Sequence, residues 1–140
     1  MRLLDPRSGI DVLEREECLE LLESDLVGRL AVVSAGAPSV FPINYVMDDE
    51  TVVFRTAPGT KLDAGPRAPA CFEIDDFDRT NRTGWSVVVS GRLEEITAAD
   101  AALLARVRAL PVDPWAVGER DHWMRLVPRM ITGRRVGRAT

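Results

Sequence analysis

Apolar residues near the start of the chain fall at helical spacing. Within residues 14 to 24, Cys18, Leu21 and Leu22 stand at i, i+3 and i+4, with glutamates crowding the N-terminal turn, where the helix dipole favours negative charge. The spacing predicts a surface helix. From Gly28 to Ser34 the pattern becomes short and β-branched and ends at the turn Ala35-Gly36-Ala37-Pro38, so a first strand is expected. Val40 to Met47 predicts a second strand and Thr51 to Thr56 a third, joined across Asp48-Asp49-Glu50 as a hairpin. A Pro- and Ala-rich stretch, irregular or helical, follows. From Ala70 to Asp75, Phe72 and Ile74 alternate with Cys71, Glu73 and Asp75, the period of a half-buried strand. After a polar, turn-like segment from Asp76 to Thr83, Trp85, Val87, Val89 and Leu93 alternate with polar and smaller residues in the longest strand pattern, and Gly91 marks a bend or bulge. Thr97-Ala98-Ala99-Asp100 opens a helix carrying Leu103, Leu104, Val107 and Leu110, which Pro111 stops. Trp123 to Val136 supplies a last strand, which Pro128 confines to an edge or a bulge. Six strands and two or three helices without βαβ alternation favour a closed or partly closed antiparallel barrel over a Rossmann sheet.

The 140 residues fit a single domain spanning 1–140, since a chain of this length buries roughly two thirds of its unfolded surface around one core. A formal charge of −4 provides no overall positive field for nucleic acid or anionic lipid, so any anion site is local. Cys18 and Cys71 lack C-x-x-C spacing and read as reduced core thiols. Neither a leader nor a span of about 18 apolar residues is present, which points to the cytoplasm and away from a membrane.

Several chemistries are excluded by what is missing. There is no G-x-G-x-x-G, no P-loop (Gly59-Thr60-Lys61 lacks the upstream glycine) and no G-x-S-x-G elbow. His122 is the sole histidine, so no multi-histidine metal centre can form, and an exposed or packing role suits it better than catalysis. The remaining signal is Phe54-Arg55-Thr56-Ala57-Pro58-Gly59-Thr60-Lys61. A phosphate monoester is nearly a dianion at neutral pH, and a site for it needs about two cations, hydroxyl or amide donors and a turn that gathers them. Arg55, Lys61, Thr56 and Thr60 supply these around Pro58-Gly59. In an ideal strand Arg55 and Thr56 face opposite sides. By spacing alone, solvated cations at a hairpin end explain the segment as well.

Set beside Pro38-Ser39-Val40-Phe41-Pro42-Ile43-Asn44 before it and Gly84-Trp85-Ser86-Val87-Val88-Val89-Ser90-Gly91 after it, the segment completes an ordered set of motifs that resembles the pyridoxamine 5′-phosphate oxidase-like, FMN-binding split-barrel family. The resemblance extends over most of the chain, from the N-terminal helix to Ile131-Thr132-Gly133-Arg134. It implies a mainly β fold, a six-stranded antiparallel split β-barrel with two or three flanking helices. It also implies a homodimer with FMN in two clefts between the subunits. Arg55, Thr56, Thr60 and Lys61 would then hold the phosphate. Phe41, Pro42, Ile43 and Asn44 would lie along the isoalloxazine ring and offer it backbone contacts. Trp85 and Ser86 would meet the flavin from the long strand, in the same or the partner subunit, with a core or interface role for Trp85 weighing equally.

The chain departs from relatives that oxidise pyridoxamine phosphate. It closes on Arg134-Arg135-Val136-Gly137-Arg138-Ala139-Thr140 without their Arg-x-His motif, so vitamin B6 oxidation is not implied. The leading expectation is an FMN-dependent oxidoreductase acting on a small molecule, with no assigned catalytic acid or base; Glu73 and Asp75 qualify only if they enter the cleft. A deazaflavin-dependent reductase is the alternative, with Arg67, Arg79 and Arg82 as cations for an anionic tail, and a non-enzymatic flavin-binding or storage module is another. Some relatives bind haem, for which the lone His122 is a poor ligand.

Overall fold

The computed structural model describes residues 2–5, 8–57, 68–112, 115 and 122–137. Among these lie β1 (Arg2–Asp5), β2 (Ile10–Val12), α1 (Arg15–Glu23), β3 (Val27–Ser34), β4 (Ala37–Asn44), β5 (Val46–Asp48), β6 (Thr51–Thr56), β7 (Pro69–Asp78), β8 (Thr83–Ile96), α2 (Ala101–Arg108) and β9 (His122–Val136). A short 3₁₀ turn, Ala98–Asp100, leads into α2. Neither helix is long and apolar enough to cross a membrane.

Every ladder is antiparallel, in the order β1-β2-β9-β8-β7-β3-β4, with β6 on β9 and β5 on β6. The 15-residue β9 is long enough to be shared: residues 122–126 pair with β6 and residues 134–136 with β2, while β8 runs along its other edge. The sheet curls until β4 approaches β6, yet no ladder joins these two among the described residues. The barrel is split there.

The expected architecture is present, with more strands than the six expected. β1 and β2 precede α1, and the expected second strand breaks at Tyr45 into β4 and β5. Tyr45 is 3 % exposed, packs its ring edge-on against Phe72 at 4.7 Å and donates its hydroxyl proton to the Leu22 carbonyl, so the chain turns inward there and changes partner. The hairpin to β6 is therefore made by β5 alone, while β4 pairs with β3. β7 and β8 run on through Asp78 and from Thr83, shrinking the polar turn to 79–82; the Asp78 carboxylate accepts from the Thr80 and Asn81 backbone N–H groups and the Asn81 amide. The bulge expected from Gly91 lies between Ser90 and Gly91, opposite Met130 and Pro128, which lets a proline sit in a central strand.

Alternation builds the core. Leu30, Phe72, Val89 and Ile131 form one inward row across β3, β7, β8 and β9, each side chain contributing about 1.5–3 kcal/mol by burial. Helix α1 closes this core with Cys18 and Leu22 and fits against β9 because position 133 has no side chain: a Cβ there would stand 2.7 Å from the Cys18 sulfur. Burial raises the Cys18 thiol pKa, with Glu17 adding to the effect. Cys71, expected in the core, lies on the exposed face, because the alternation that buries Phe72 and Ile74 turns its neighbour outward. A second cluster beneath α2 joins Val53, Ile96, Leu103, Val107, Val112 and Trp123. Asp100 caps α2 by accepting from the Leu103 N–H.

Candidate functional site at the split between β4 and β6

The C-terminal end of β6 carries the first part of the site. Val52 and Phe54 point into the main core, while Val53 belongs to the α2 cluster on the opposite face. Arg55 shares that second face and lies directly across from Trp123, with its guanidinium carbon 5.2 Å from the ring centroid. Since Trp123 packs beneath α2, the platform under Arg55 is fixed by a helix more than 40 residues away in sequence. Thr56 turns to the other side, as strand alternation requires, and is opposite His122. The His122 Nδ1 lies 2.5 Å from the Glu95 Oε1.

The opposing wall is β4. The side chains of Phe41 and Ile43 pack against the main core, so what these two residues offer at the split is backbone; Pro42 and Asn44 face outward. Pro38 and Pro42 lack N–H groups, and the Tyr45 N–H points back to Leu26. Residues of even number therefore direct their backbone polar groups to the unpaired edge, leaving the Val40 and Asn44 N–H groups and the Pro42 carbonyl toward the split. The Asn44 Oδ1 accepts from the Trp115 backbone N–H at 2.8 Å. Trp115 is 67 % exposed beside this wall.

The other expected residues divide. Thr60, Lys61 and Arg67 lie outside the described residues. Trp85 and Ser86 are not brought to the β6 end within one chain. They occupy the start of β8, whereas the end of β8 near Arg55 is Ile96, eleven positions or roughly 36 Å of strand away. Trp85 packs toward the main core between Asp76 and Arg135, while Ser86 faces outward between Asp75 and Arg134. Arg79 and Arg82 belong to the β7–β8 turn at that same remote end. Glu73 and Asp75 do not enter the split either. The Arg29 Nη2 holds Glu73 at 2.8 Å and Asp75 at 3.3 Å on the outer sheet face. Burial, with Asp75 beside it, pushes the Glu73 carboxyl above its usual range against the pull of Arg29. Burial opposes the charge of Arg29, but the two carboxylates outweigh it and raise its pKa.

Comparisons with known proteins agree with this architecture. A family model described as "Pyridoxamine 5′-phosphate oxidase" matches residues 14–135. The chain belongs to the pyridoxamine 5′-phosphate oxidase family. An uncharacterized protein of Mycobacterium tuberculosis is 34% identical over 143 residues, covering 96% of this chain and 92% of that one. The solved structure of the FAD binding protein from Mycobacterium smegmatis superposes with a TM-score of 0.76 at 38% identity, covering 91% of this chain and 98% of that one. A FAD-binding protein from Mesorhizobium loti gives a TM-score of 0.73 at 25% identity, over 91% of this chain and 99% of that one.

Three residues of this pyridoxamine 5′-phosphate oxidase family member were not among the expected binding residues: Trp123 under Arg55, His122 beside Thr56 and Trp115 on Asn44. Only cross-strand register and a contact over 71 positions bring them to the site.

Proposed function

We propose that the protein is a flavin-dependent oxidoreductase that binds FMN at the split between β4 and β6 and acts on a small molecule. The observation that carries this reading is the meeting of two walls, the free β4 edge with its outward amides and the end of β6 bearing Arg55 and Thr56. Arg55 and Thr56, with Thr60 and Lys61 from the following segment, hold the phosphate. Pro42 and Asn44, and the backbone of Phe41 and Ile43, flank the ring. Flavin supplies the electron chemistry; the protein supplies orientation and fixed charge.

The functional unit in this reading is a homodimer. Val40, Ala31, Cys71, Ser90 and Met130 form a continuous outward row across β4, β3, β7, β8 and β9, with Val40 66 % and Met130 57 % exposed. A second copy covers this row. The partner's long strand then provides the Ser86 and Trp85 contacts that one chain cannot bring to its own β6 end.

FAD is the second reading, favoured by the two similar structures described as FAD-binding. A deazaflavin would draw on Arg67, Arg79 and Arg82 for its anionic tail, and of these Arg79 and Arg82 sit at the far end of β8 from the β6 end of the same chain. Calorimetry with FMN, FAD and riboflavin separates these. Tight FMN binding, with riboflavin weaker by about tenfold or more, supports the terminal phosphate site. Equal affinity for FMN and riboflavin overturns it. Oxidation of a nicotinamide donor by the loaded protein distinguishes an oxidoreductase from a storage module.

A further inference from the structure

The chain has a single histidine, and the fold sets it directly opposite Thr56 at the end of β6. We propose that His122 is a further contact to the flavin phosphate, and that Glu95 is the positioning residue that aims it. The proposal rests on the phosphate reading above. Thr56 and His122 are directly opposed in the β6–β9 ladder, so their side chains leave the sheet on one face with Cβ atoms about 5 Å apart. A ligand oxygen held by Thr56 is within reach of the imidazole.

The second observation is the state of the two ring nitrogens. Nδ1 lies 2.5 Å from the Glu95 Oε1, a contact that fixes the ring plane and leaves Nε2 as the outward nitrogen. Nε2 has no partner among the described residues and points from a side chain that is 42 % exposed. An imidazole nitrogen donates to an anion only when it carries a proton, and a ring protonated on both nitrogens donates from Nδ1 to Glu95 and from Nε2 to the ligand. Among the described residues Glu95 on β8 is the charged group in contact with the imidazole, and Arg125 of β9 is engaged by Glu94. A phosphate approaching a single arginine at this strand end is undercharged until further cations join it.

The competing explanation is a surface ion pair between neighbouring strands, which contributes little and ignores ligands. The single histidine makes the distinction direct, because its imidazole resonances in an NMR spectrum require no assignment. Addition of FMN to the wild-type protein should shift the ring ¹⁵N and ¹H resonances toward the imidazolium pattern, and riboflavin should not. His122→Ala should weaken FMN binding by about threefold to thirtyfold while riboflavin affinity holds within about twofold. His122→Gln, which keeps a neutral donor at the same reach, should fall between. Glu95→Gln should reduce the imidazolium shift.

Resonances unmoved by FMN, together with wild-type FMN affinity in His122→Ala, overturn the role of His122 while the flavin reading stands. Wild-type protein that does not distinguish FMN from riboflavin overturns both. The NMR measurement uses the unaltered protein, so it decides the matter even if a variant folds poorly.

Discussion

Arg55 lies over the face of Trp123, its guanidinium carbon 5.2 Å from the ring centroid, and the two residues are direct cross-strand partners. A guanidinium held on an indole loses less side-chain freedom when it meets a ligand than one in open solvent, and stays planar and in place for bidentate contact. FMN affinity should therefore fall in the order wild type, Arg55→Lys, Arg55→Met, with the methionine variant roughly tenfold to a hundredfold weaker. Lys61→Met should resemble Arg55→Met. Riboflavin affinity should stay constant across the series. Calorimetry that gives parent-like FMN binding by both methionine variants removes the phosphate assignment.

The outward row through Val40 and Met130 yields a prediction about assembly. Light scattering after size exclusion should find two copies of the wild-type chain. Val40→Glu with Met130→Glu places charges on the face that a second copy would cover, and should give monomers that lose FMN while retaining the circular dichroism of the parent. Wild-type monomers with micromolar or better FMN affinity rule out a cleft shared between chains.

Glycine at the β8–β9 bulge has a calculable consequence. A Cβ at position 91 would stand 1.9 Å from the Val127 carbonyl oxygen, a backbone atom that cannot turn aside. Gly91→Ala should cost about 3 kcal/mol in urea unfolding, since both central strands must shift. Gly36 offers the contrast, with a positive φ of 78° and no atom within 4 Å of an added Cβ, so that Gly36→Ala should cost only about 1–2 kcal/mol of backbone strain.

The Glu73 carboxyl gives a pH dependence of definite sign. Its pKa is raised from the ordinary 4.5, so between these two values the folded chain binds more proton than the unfolded chain. By linkage, the stability this group contributes is present below the ordinary value and is lost as pH rises through the raised one. In thermal unfolding from about pH 4 to about pH 7, the Tm of Glu73→Gln minus that of wild type should become more positive as pH rises, whatever constant offset the altered Arg29 contact adds. A difference that falls with pH contradicts the buried, carboxylate-crowded setting of Glu73.

Much of the barrel was legible in local pattern. The period-2 alternation of Phe72 and Ile74 against Cys71 and Glu73 names both the strand and its buried face, although Cys71 itself belonged with the exposed set. Gly91 and Pro128 each announced an irregularity, and the register joins them in one bulge. The break at Tyr45 was not legible, because Tyr45, Val46 and Met47 continue the largely apolar run from Val40 and no turn residue marks the change. What ends it is a long-range event, the Tyr45 ring reaching Phe72 and its hydroxyl reaching Leu22.

For the site, neighbours along the chain were enough to show two residues of β6 with opposite orientations and a local cation-rich segment in an acidic protein, whereas the edge position of β4 was not read from Pro38 and Pro42. Only the tertiary structure decided which parts share a place. It set Trp123 under Arg55 and His122 beside Thr56, turned Phe41 and Ile43 into the core, and sent Trp85 and Ser86 to the far end of β8. The physical reason is that strand periodicity fixes which way a side chain points relative to its neighbours, whereas partner and register are fixed by the burial of whole faces and by where turns and bulges fall, and these are properties of segments far apart in the chain.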